Sequence, residues 1–216
     1  MRKKSKANVI TAYSEELQAV RDVLDNSDSG GPDARKALSE WALISAFAAL
    51  EELLLEIMTA ALNRDNSAFE DATGLEFPEH LNVAVCRFLI VGEGYFGFRD
   101  IDDLKKKLAR YLGSSHTLIA ELKGAQPAAA FEIIAKSRNL AAHRSEWAVA
   151  ALKASLKKRD ITGGSGLTSA GSWLCSIDNS DAWKGVFKGP KGKSRMEAIL
   201  GYLESFGATV DQKVQF

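Results

Sequence analysis

The chain has 216 residues, of which 46% are hydrophobic and 26% are charged, as is ordinary for a globular protein that buries a sizeable core. Lysine plus arginine and aspartate plus glutamate number 28 each, which excludes a chain that is basic as a whole, so any nucleic-acid contact must come from local patches. The two cysteines, Cys86 and Cys175, have no neighbouring Cys or His at metal-ligand spacing, which is typical of a reduced, cytoplasmic setting without a metal site.

The sequence predicts neither secretion nor a membrane span. No apolar run of signal-peptide length follows the basic N-terminus. The most apolar stretch, 42–62, contains Glu51, Glu52 and Glu56, and charges there cost roughly 2.5–3.5 kcal/mol each on insertion scales. We therefore expect this stretch to be a buried helix of a soluble protein.

Hydrophobic residues recur at helical spacing through most of the first 158 residues. The pattern predicts helices over about 10–25, 34–62, 78–91, 100–112, 115–122, from 127 to near His143, and 145–156. Pro78 and Pro127 suit first helical residues, and Ser145 suits an N-cap. At about 1.5 Å per residue, the second helix would be roughly 40 Å long and would form the central pillar of a bundle.

The composition of the sequence changes after Lys158, where glycines and scattered aromatic residues replace the helical spacing of apolar residues. We expect an irregular segment over about 160–192 and a last amphipathic helix over about 194–206 that docks on the bundle. The sequence therefore predicts an all-α fold. It would comprise a helical bundle over 1–158 and a C-terminal extension over 159–216 that packs on the same domain.

The best candidate for an acid–base catalytic residue is His143, one of three histidines, which lies near the end of a predicted helix. Arg138 precedes it by five residues, so the two side chains point about 140° apart in an unbroken helix, whereas Asn139 and His143 share a face. Arg138 and His143 can converge through the reach of the arginine, a helix break at His143, or a second copy across a two-fold axis.

An imidazole and a guanidinium together supply what phosphodiester cleavage requires without a metal. The imidazole moves protons near neutral pH, and the guanidinium holds the developing negative charge. RNA supplies its own nucleophile, the 2′-hydroxyl. The motif therefore predicts transesterification of RNA with no cofactor, in which His143 handles protons and Arg138 holds the phosphate.

The segment from Arg138 through Asn139 to His143 resembles the signature of the HEPN superfamily, an Arg, often followed by Asn, then a His after four to six residues. The stretch from Tyr95 to Leu108 also looks like the region between the long helix and the motif helix of such proteins. The resemblance covers about 9–158. It implies a helical bundle that forms a homodimer and brings two motifs together, with Arg138, Asn139 and His143 as catalytic residues.

Many HEPN members are metal-independent endoribonucleases in toxin–antitoxin, abortive-infection or CRISPR-linked antiviral defence. The resemblance implies the same activity here, with an antitoxin or regulatory protein as partner. Other members do not cut RNA. Some HEPN toxins have a Tyr two residues after the motif His. Here that position is Ser145, which argues against regulation by modification of such a Tyr.

Several charged residues have both a functional and a structural interpretation. Glu51 or Glu52 would orient Arg138 or His143, or else lie on a solvated helix face. Two basic clusters would follow RNA phosphates, although charge runs are more often solvated faces. They comprise Lys105, Lys106, Lys107 and Arg110, and Lys153, Lys157, Lys158 and Arg159.

A third basic cluster surrounds Trp183 and Phe187, an arrangement that suits single-stranded nucleic acid because aromatic rings stack on bases. Its cations are Lys184, Lys188, Lys191, Lys193 and Arg195. We favour the alternative, in which these aromatic residues pack on the bundle. The run 163–166 lacks the Lys-Ser/Thr ending of a nucleotide-phosphate loop.

Three hypotheses follow for function. The first is an RNA-cleaving HEPN dimer. The second is a non-catalytic helical module that uses the same face to bind a partner protein or a nucleotide. The third is a scaffold in which Arg138 is held in a structural ion pair, an interpretation that exposure of Arg138 would oppose.

Overall fold

The structure, a computed structural model, describes residues 3–26, 30–188 and 192–215. Within these ranges the chain forms eleven helices and no β-strand, which confirms the predicted all-α class. One isolated antiparallel bridge pairs Ile177 with Ser194. None of the described helices combines the length and the apolar character that crossing a membrane requires.

The helix bounds follow the predicted pattern along most of the chain. They are α1 Lys6–Asp25, α2 Gly31–Arg64, α3 Ser67–Thr73, α4 Val83–Val91, α5 Ile101–Leu112, α6 Thr117–Glu121, α7 Ala125–His143, α8 Glu146–Lys157, α9 Ala170–Cys175, α10 Asp181–Phe187 and α11 Arg195–Lys213. Helix α3 was not predicted, and α11 continues beyond residue 206.

Capping side chains explain where several helices begin. Ser145 accepts a hydrogen bond from the Ala148 backbone N–H at 3.2 Å and starts α8, as predicted. Helix α4 begins at Val83 because the Asn82 side chain caps it, and not at Pro78 as the sequence suggested. The Pro78 carbonyl instead accepts a hydrogen bond from Asn66 Nδ2 at 2.9 Å.

Backbone contacts divide the chain into two compact units that interleave along the sequence. The first unit comprises Met1–Ser14, Leu50–Gly124 and Gly207–Phe216, and the second comprises Glu15–Ala49 and Ala125–Phe206. Helices α1, α2 and α11 therefore contribute residues to both units. None of these boundaries lies at residues 158 and 159, because 159–206 belong to the same unit as α7 and α8.

The first unit is built on the second half of α2, where Leu50, Leu54, Ile57 and Met58 are fully buried. Aromatic contacts join the flanking helices: the Phe69 ring of α3 stacks on Tyr111 of α5 with centroids 5.2 Å apart. From Leu50 to Asn63, every residue except Glu51, Glu52 and Glu56 is buried, which explains why apolar residues predominate in this stretch.

The second unit has a continuous aromatic core. Phe131 of α7 makes an edge contact with Phe206 of α11 at 5.2 Å, and Trp183 lies 5.8 Å from Trp173 and 4.2 Å from Phe187. These rings come from α7 and from the segment after residue 160. Aromatic packing of this kind stabilises by roughly 0.5–1.5 kcal/mol per pair beyond burial.

The expectation of an irregular segment over 160–192 is wrong for much of its described part. Helices α9 and α10 lie within it, and Ser169 and Ser180 cap them by accepting hydrogen bonds from Ser172 and Trp183. Trp183 is only 2% exposed. Short helices were missed because a single buried stripe of six or seven residues gives too few repeats to show a period.

Candidate functional site

The predicted catalytic residues lie on the last two turns of α7, in the second unit. His143 is exposed and is the last residue of the helix, whereas Arg138 and Asn139 are half-buried. The helix is unbroken from Arg138 to His143, which excludes a helix break at His143 as the route to convergence. The reach of Arg138 and a second copy of the chain are the remaining routes.

Arg138 contacts α2 through the face of an aromatic ring. Its guanidinium carbon lies 5.5 Å from the centroid of the Phe47 ring, and Nη1 donates a hydrogen bond to Asn139 Oδ1 at 3.2 Å. No carboxylate lies within ion-pair distance of Arg138 in the described ranges, and its buried Nε has no hydrogen-bond partner there. The buried Nε cannot reach a ligand, so the Nη donors that Asn139 does not use are the ones available to an anionic group.

The chain reverses direction directly after His143. Arg144 adopts a left-handed conformation with φ of 48°, and its backbone N–H bonds to the Leu140 carbonyl at 2.9 Å. Such a conformation is unfavourable for a residue other than Gly, Asn or Asp, so surrounding contacts must hold it. It leaves His143 and the following Trp147 exposed, the latter at 73%.

Glu40 of α2 is one of those contacts, and sequence reasoning did not find it. Its nearly buried carboxylate accepts a hydrogen bond from Arg144 Nη2 at 2.8 Å and another from the backbone N–H of Gly171 at 2.8 Å. One carboxylate thus links the end of the motif helix to the start of α9. The seven-residue spacing of Glu40 and Phe47 was the available signal, since it places both on one face of α2.

A cavity of about 260 Å³ lies beside this carboxylate. It is lined by Lys36, Ala37, Glu40, Leu140, Arg144, Thr168, Ser169 and Ala170. Lys36 is paired with Asp33 at 2.9 Å, and Arg144 is paired with Glu40, so both cations that line the cavity already have a counter-charge.

The middle of the motif helix contains a charged cluster. Glu132 pairs with Lys136 at 2.7 Å and with Arg159, which also donates to the Ser155 carbonyl at 3.0 Å. Burial opposes ionisation of Glu132, but the hydrogen bonds from Lys136, Arg159 and Ser155 outweigh it and lower the pKa of its carboxyl to about 2. Arg159 is therefore held in a structural ion pair.

The basic cluster on α5 lies in the first unit and is largely neutralised by its own helix. Lys105 pairs with Asp102 at 2.7 Å, and Lys107 pairs with Asp103 at 3.3 Å. Arg110 lies over the Phe69 ring at 5.2 Å, and Lys106 is exposed. These contacts favour a solvated helix face for Lys105, and they leave RNA binding by Lys106 and Arg110 as a prediction.

The basic residues of α8 differ, because Lys153 and Lys157 form no ion pair within the described part of the chain. Together they line a second cavity, of about 510 Å³, with the loop that follows α8. The sequence signal was their spacing of four residues, which places both lysines on one face.

Glu51 belongs to the first unit, where a carboxylate oxygen lies 3.1 Å from the position that a β-carbon on Gly97 would occupy. Its neighbour Glu52 pairs with Arg87 at 2.8 Å. Support of Arg138 by Glu51 stays a prediction.

The third basic cluster does not offer rings for stacking on bases. Trp183 and Phe187 are buried, and Arg195 is 3% exposed, which agrees with the favoured interpretation of packed aromatic residues. Lys193 pairs with Glu197 and Lys184 with Asp181. Lys191 of this cluster lies outside the described residues.

The described residues contain no group of three or more His, Cys, Asp or Glu side chains placed to bind a metal ion. No protein-family model matches the chain, and comparisons with curated proteins and with solved structures likewise find no match. The arrangement of residues at the end of α7 is therefore the basis for any statement of function.

Proposed function

We propose that this chain is a metal-independent endoribonuclease of the HEPN type, which cleaves RNA in a site composed of the motif residues of two copies. One observation carries the proposal: the exposed imidazole of His143 ends the same helix on which Arg138 offers an uncompensated guanidinium. The resemblance of Arg138, Asn139 and His143 to the HEPN signature supports it. A bacterial defence or toxin–antitoxin system is the setting that the resemblance favours.

In the proposed reaction, the ribose 2′-oxygen attacks the adjacent phosphorus while His143 of one copy accepts the 2′-hydroxyl proton. The bond from phosphorus to the 5′-oxygen breaks, and His143 of the other copy donates a proton to that oxygen. Arg138 binds the phosphoryl oxygens as negative charge develops, and Asn139 holds the guanidinium through its Oδ1. The products are a 2′,3′-cyclic phosphate and a 5′-hydroxyl.

The geometry of the helix favours a second copy over the reach of Arg138 alone. Arg138 and His143 point about 140° apart on unbroken α7, and Arg138 is directed to Phe47 of α2. Two-fold association through this face would bring His143 of each copy toward the motif of the other. Exposure of His143 and Trp147 keeps the face accessible for such association.

The test is cleavage of end-labelled single-stranded RNA and transfer RNA in EDTA by the parent, His143→Ala and Arg138→Ala. We expect the parent to form 2′,3′-cyclic ends and each variant to be slower by at least about 100-fold, the usual contribution of a general acid–base group. His80→Ala and Arg99→Ala, which replace exposed residues outside the motif, are the matched controls and should cleave as the parent does.

Two results would contradict the proposal. The first is cleavage by His143→Ala at the rate of the parent, which would point to a contaminating nuclease. The second is an inert parent that remains folded and dimeric in sedimentation, which would favour the non-catalytic binding module.

A further inference from the structure

The cavity beside α8 has the size and the lining of a small-ligand site. Its volume of about 510 Å³ lies within the range of 300–1,000 Å³ that is common for such sites. It is lined by Lys153, Lys157, Asp160, Ile161, Thr162, Gly163, Gly164 and Ser165, and we call it the α8 pocket.

The charges that line the α8 pocket favour an anion. Lys153 is half-buried and Lys157 exposed, and neither ammonium has a carboxylate partner in the described ranges. Asp160 is the one acidic residue among the lining residues, so two positive charges face one negative charge. Lysine is a common phosphate binder because its ammonium is a compact charge with three donors.

The loop of the α8 pocket adds backbone donors. In the described part of the chain, no acceptor pairs with the backbone N–H groups of Gly163, Gly164 and Ser165. Gly163 has a positive φ of 83°. Successive N–H groups around a left-handed residue form concave anion sites in many phosphate-binding loops.

Buried contacts fix this loop in place without any ligand. Arg195 donates to the Thr162 carbonyl at 3.1 Å and to Asp178 Oδ2 at 2.8 Å, and the Thr162 hydroxyl bonds to the same Asp178 oxygen at 3.1 Å. A β-carbon on Gly163 would lie 2.7 Å from the Arg195 guanidinium, which explains the glycine. A preformed site loses less ordering entropy when it binds.

We propose that the α8 pocket binds the phosphate group of a nucleotide. Lys153, Lys157 and the N–H groups of the glycine loop contact the phosphate, and the Asp160 carboxylate accepts hydrogen bonds from a ribose hydroxyl or a base amino group. The glycine loop has no lysine of its own, and α8 supplies two instead. The phosphate has two possible sources, a free mononucleotide and a nucleotide within an RNA strand.

The test measures binding of two probes to the full-length protein at low salt. The first probe is adenosine 5′-monophosphate, followed by calorimetry. The second is a fluorescent single-stranded hexanucleotide with 2′-O-methyl groups, which lacks the nucleophile for cleavage and is followed by anisotropy. Neither measurement depends on the proposed ribonuclease activity, and His143→Ala should bind AMP as the parent does.

Lys153→Gln/Lys157→Gln is the test variant, and we expect its dissociation constant to rise at least tenfold. Lys3→Gln/Lys123→Gln removes the same charge from exposed positions outside the pocket and outside the basic clusters, so it should change the constant less than threefold. Unchanged circular dichroism and thermal midpoints establish that both variants are folded.

Each outcome decides the inference. If the test variant loses AMP binding and the control variant keeps it, the pocket is a mononucleotide site. If the test variant loses oligonucleotide binding but not AMP binding, the pocket is a site for a nucleotide of an RNA strand. If the parent binds neither probe, or if both double variants weaken binding equally, the inference is wrong, whatever the result of the RNA cleavage test.

Discussion

Arg138 and Arg195 both place a guanidinium against aromatic rings in the second unit, but they differ in their remaining contacts. Arg195 lies 5.1 Å from the Trp173 ring, pairs with the buried carboxylate of Asp178, and donates to two backbone carbonyls. Arg138 has the Phe47 ring and the side chain of its neighbour Asn139. Both arginines have a buried Nε without a hydrogen-bond partner, so the difference lies in the rest of the guanidinium: Arg195 has a carboxylate and two carbonyl partners, whereas Arg138 has no carboxylate partner in the described ranges.

This difference separates a structural arginine from a candidate ligand-binding one. A buried charge destabilises the fold unless it is paired. Folding of the segment after residue 160 buries Arg195, so Arg195 needs the Asp178 carboxylate as its partner. Arg138 is half-buried and can exchange water for a phosphate. The contacts of an arginine, and not its position in a motif, therefore show whether its guanidinium is available for binding.

The largest expected effect is that of Asp178→Asn. Hydrogen bonds from Ser180 and Arg195 outweigh burial and lower the pKa of Asp178, so the carboxylate is ionised beside Arg195. Removing its charge leaves a buried cation unpaired, and we expect a loss of about 3–5 kcal/mol of unfolding free energy in urea titrations. Asp181→Asn, at an exposed ion pair with Lys184, should change it by less than about 1 kcal/mol. Equal effects of the two variants would refute the structural role of Arg195.

Glu132→Gln examines a third arginine, Arg159. Its carboxylate partner is more exposed than that of Arg195, whereas Arg138 has no carboxylate partner in the described ranges. The pKa of Glu132 is about 2, and its side chain is 26% exposed. At 1.36 kcal/mol per pKa unit, discounted for this exposure, we expect a loss of about 2–3 kcal/mol at pH 7. Glu204→Gln removes a more exposed partner of Arg21 and should cost about 0–1 kcal/mol in the same urea titrations.

The loss caused by Glu132→Gln should depend on pH. Because folding lowers the pKa of Glu132 from 4.5, its stabilisation is fully present above about pH 4.5 and disappears as the pH falls toward 2. The difference between parent and variant should therefore be smaller at pH 3 than at pH 7. A difference that stays constant over this range would show that the ion pair is not its source.

The smallest expected change in stability is that of Arg138→Ala. Its contact with Phe47 is a cation–π interaction, so we expect a loss of about 0.5–1 kcal/mol, accompanied by the loss of RNA cleavage proposed above. A double-mutant cycle with Phe47→Leu isolates this pair and should give a coupling energy of the same size. A loss as large as that of Asp178→Asn would instead make Arg138 a structural residue.

Sequence periodicity predicted the long helices because repeated apolar spacing is a local property. Helices α1, α2, α5, α7 and α8 follow it closely, and Ser145 marks the start of α8. The all-α class followed from the same pattern. The position of Pro78 misled the prediction for α4, since a proline suits a loop as well as a first helical turn.

The contacts around the candidate sites could not be predicted from the spacing of apolar residues, because these contacts join residues far apart in sequence. Glu40 meets Arg144 and Gly171 across more than a hundred residues, and Arg195 meets Asp178 and the loop at Thr162. Sequence motifs identified Arg138 and His143 as candidates. They did not show that Arg138 lies on Phe47, nor that Lys153 and Lys157 line a cavity with the glycine loop.

Gly171 sets how closely α9 approaches α2. A β-carbon there would lie 2.5 Å from the Lys36 carbonyl oxygen, so the two backbones meet with room for a hydrogen atom and no more. A single methyl group at this position would act as a wedge that pushes α9 away from Glu40 while every charged and motif residue keeps its identity. Gly171→Ala would thereby disturb the link that Glu40 makes between α9 and Arg144, the residue after His143, without replacing any residue of the motif.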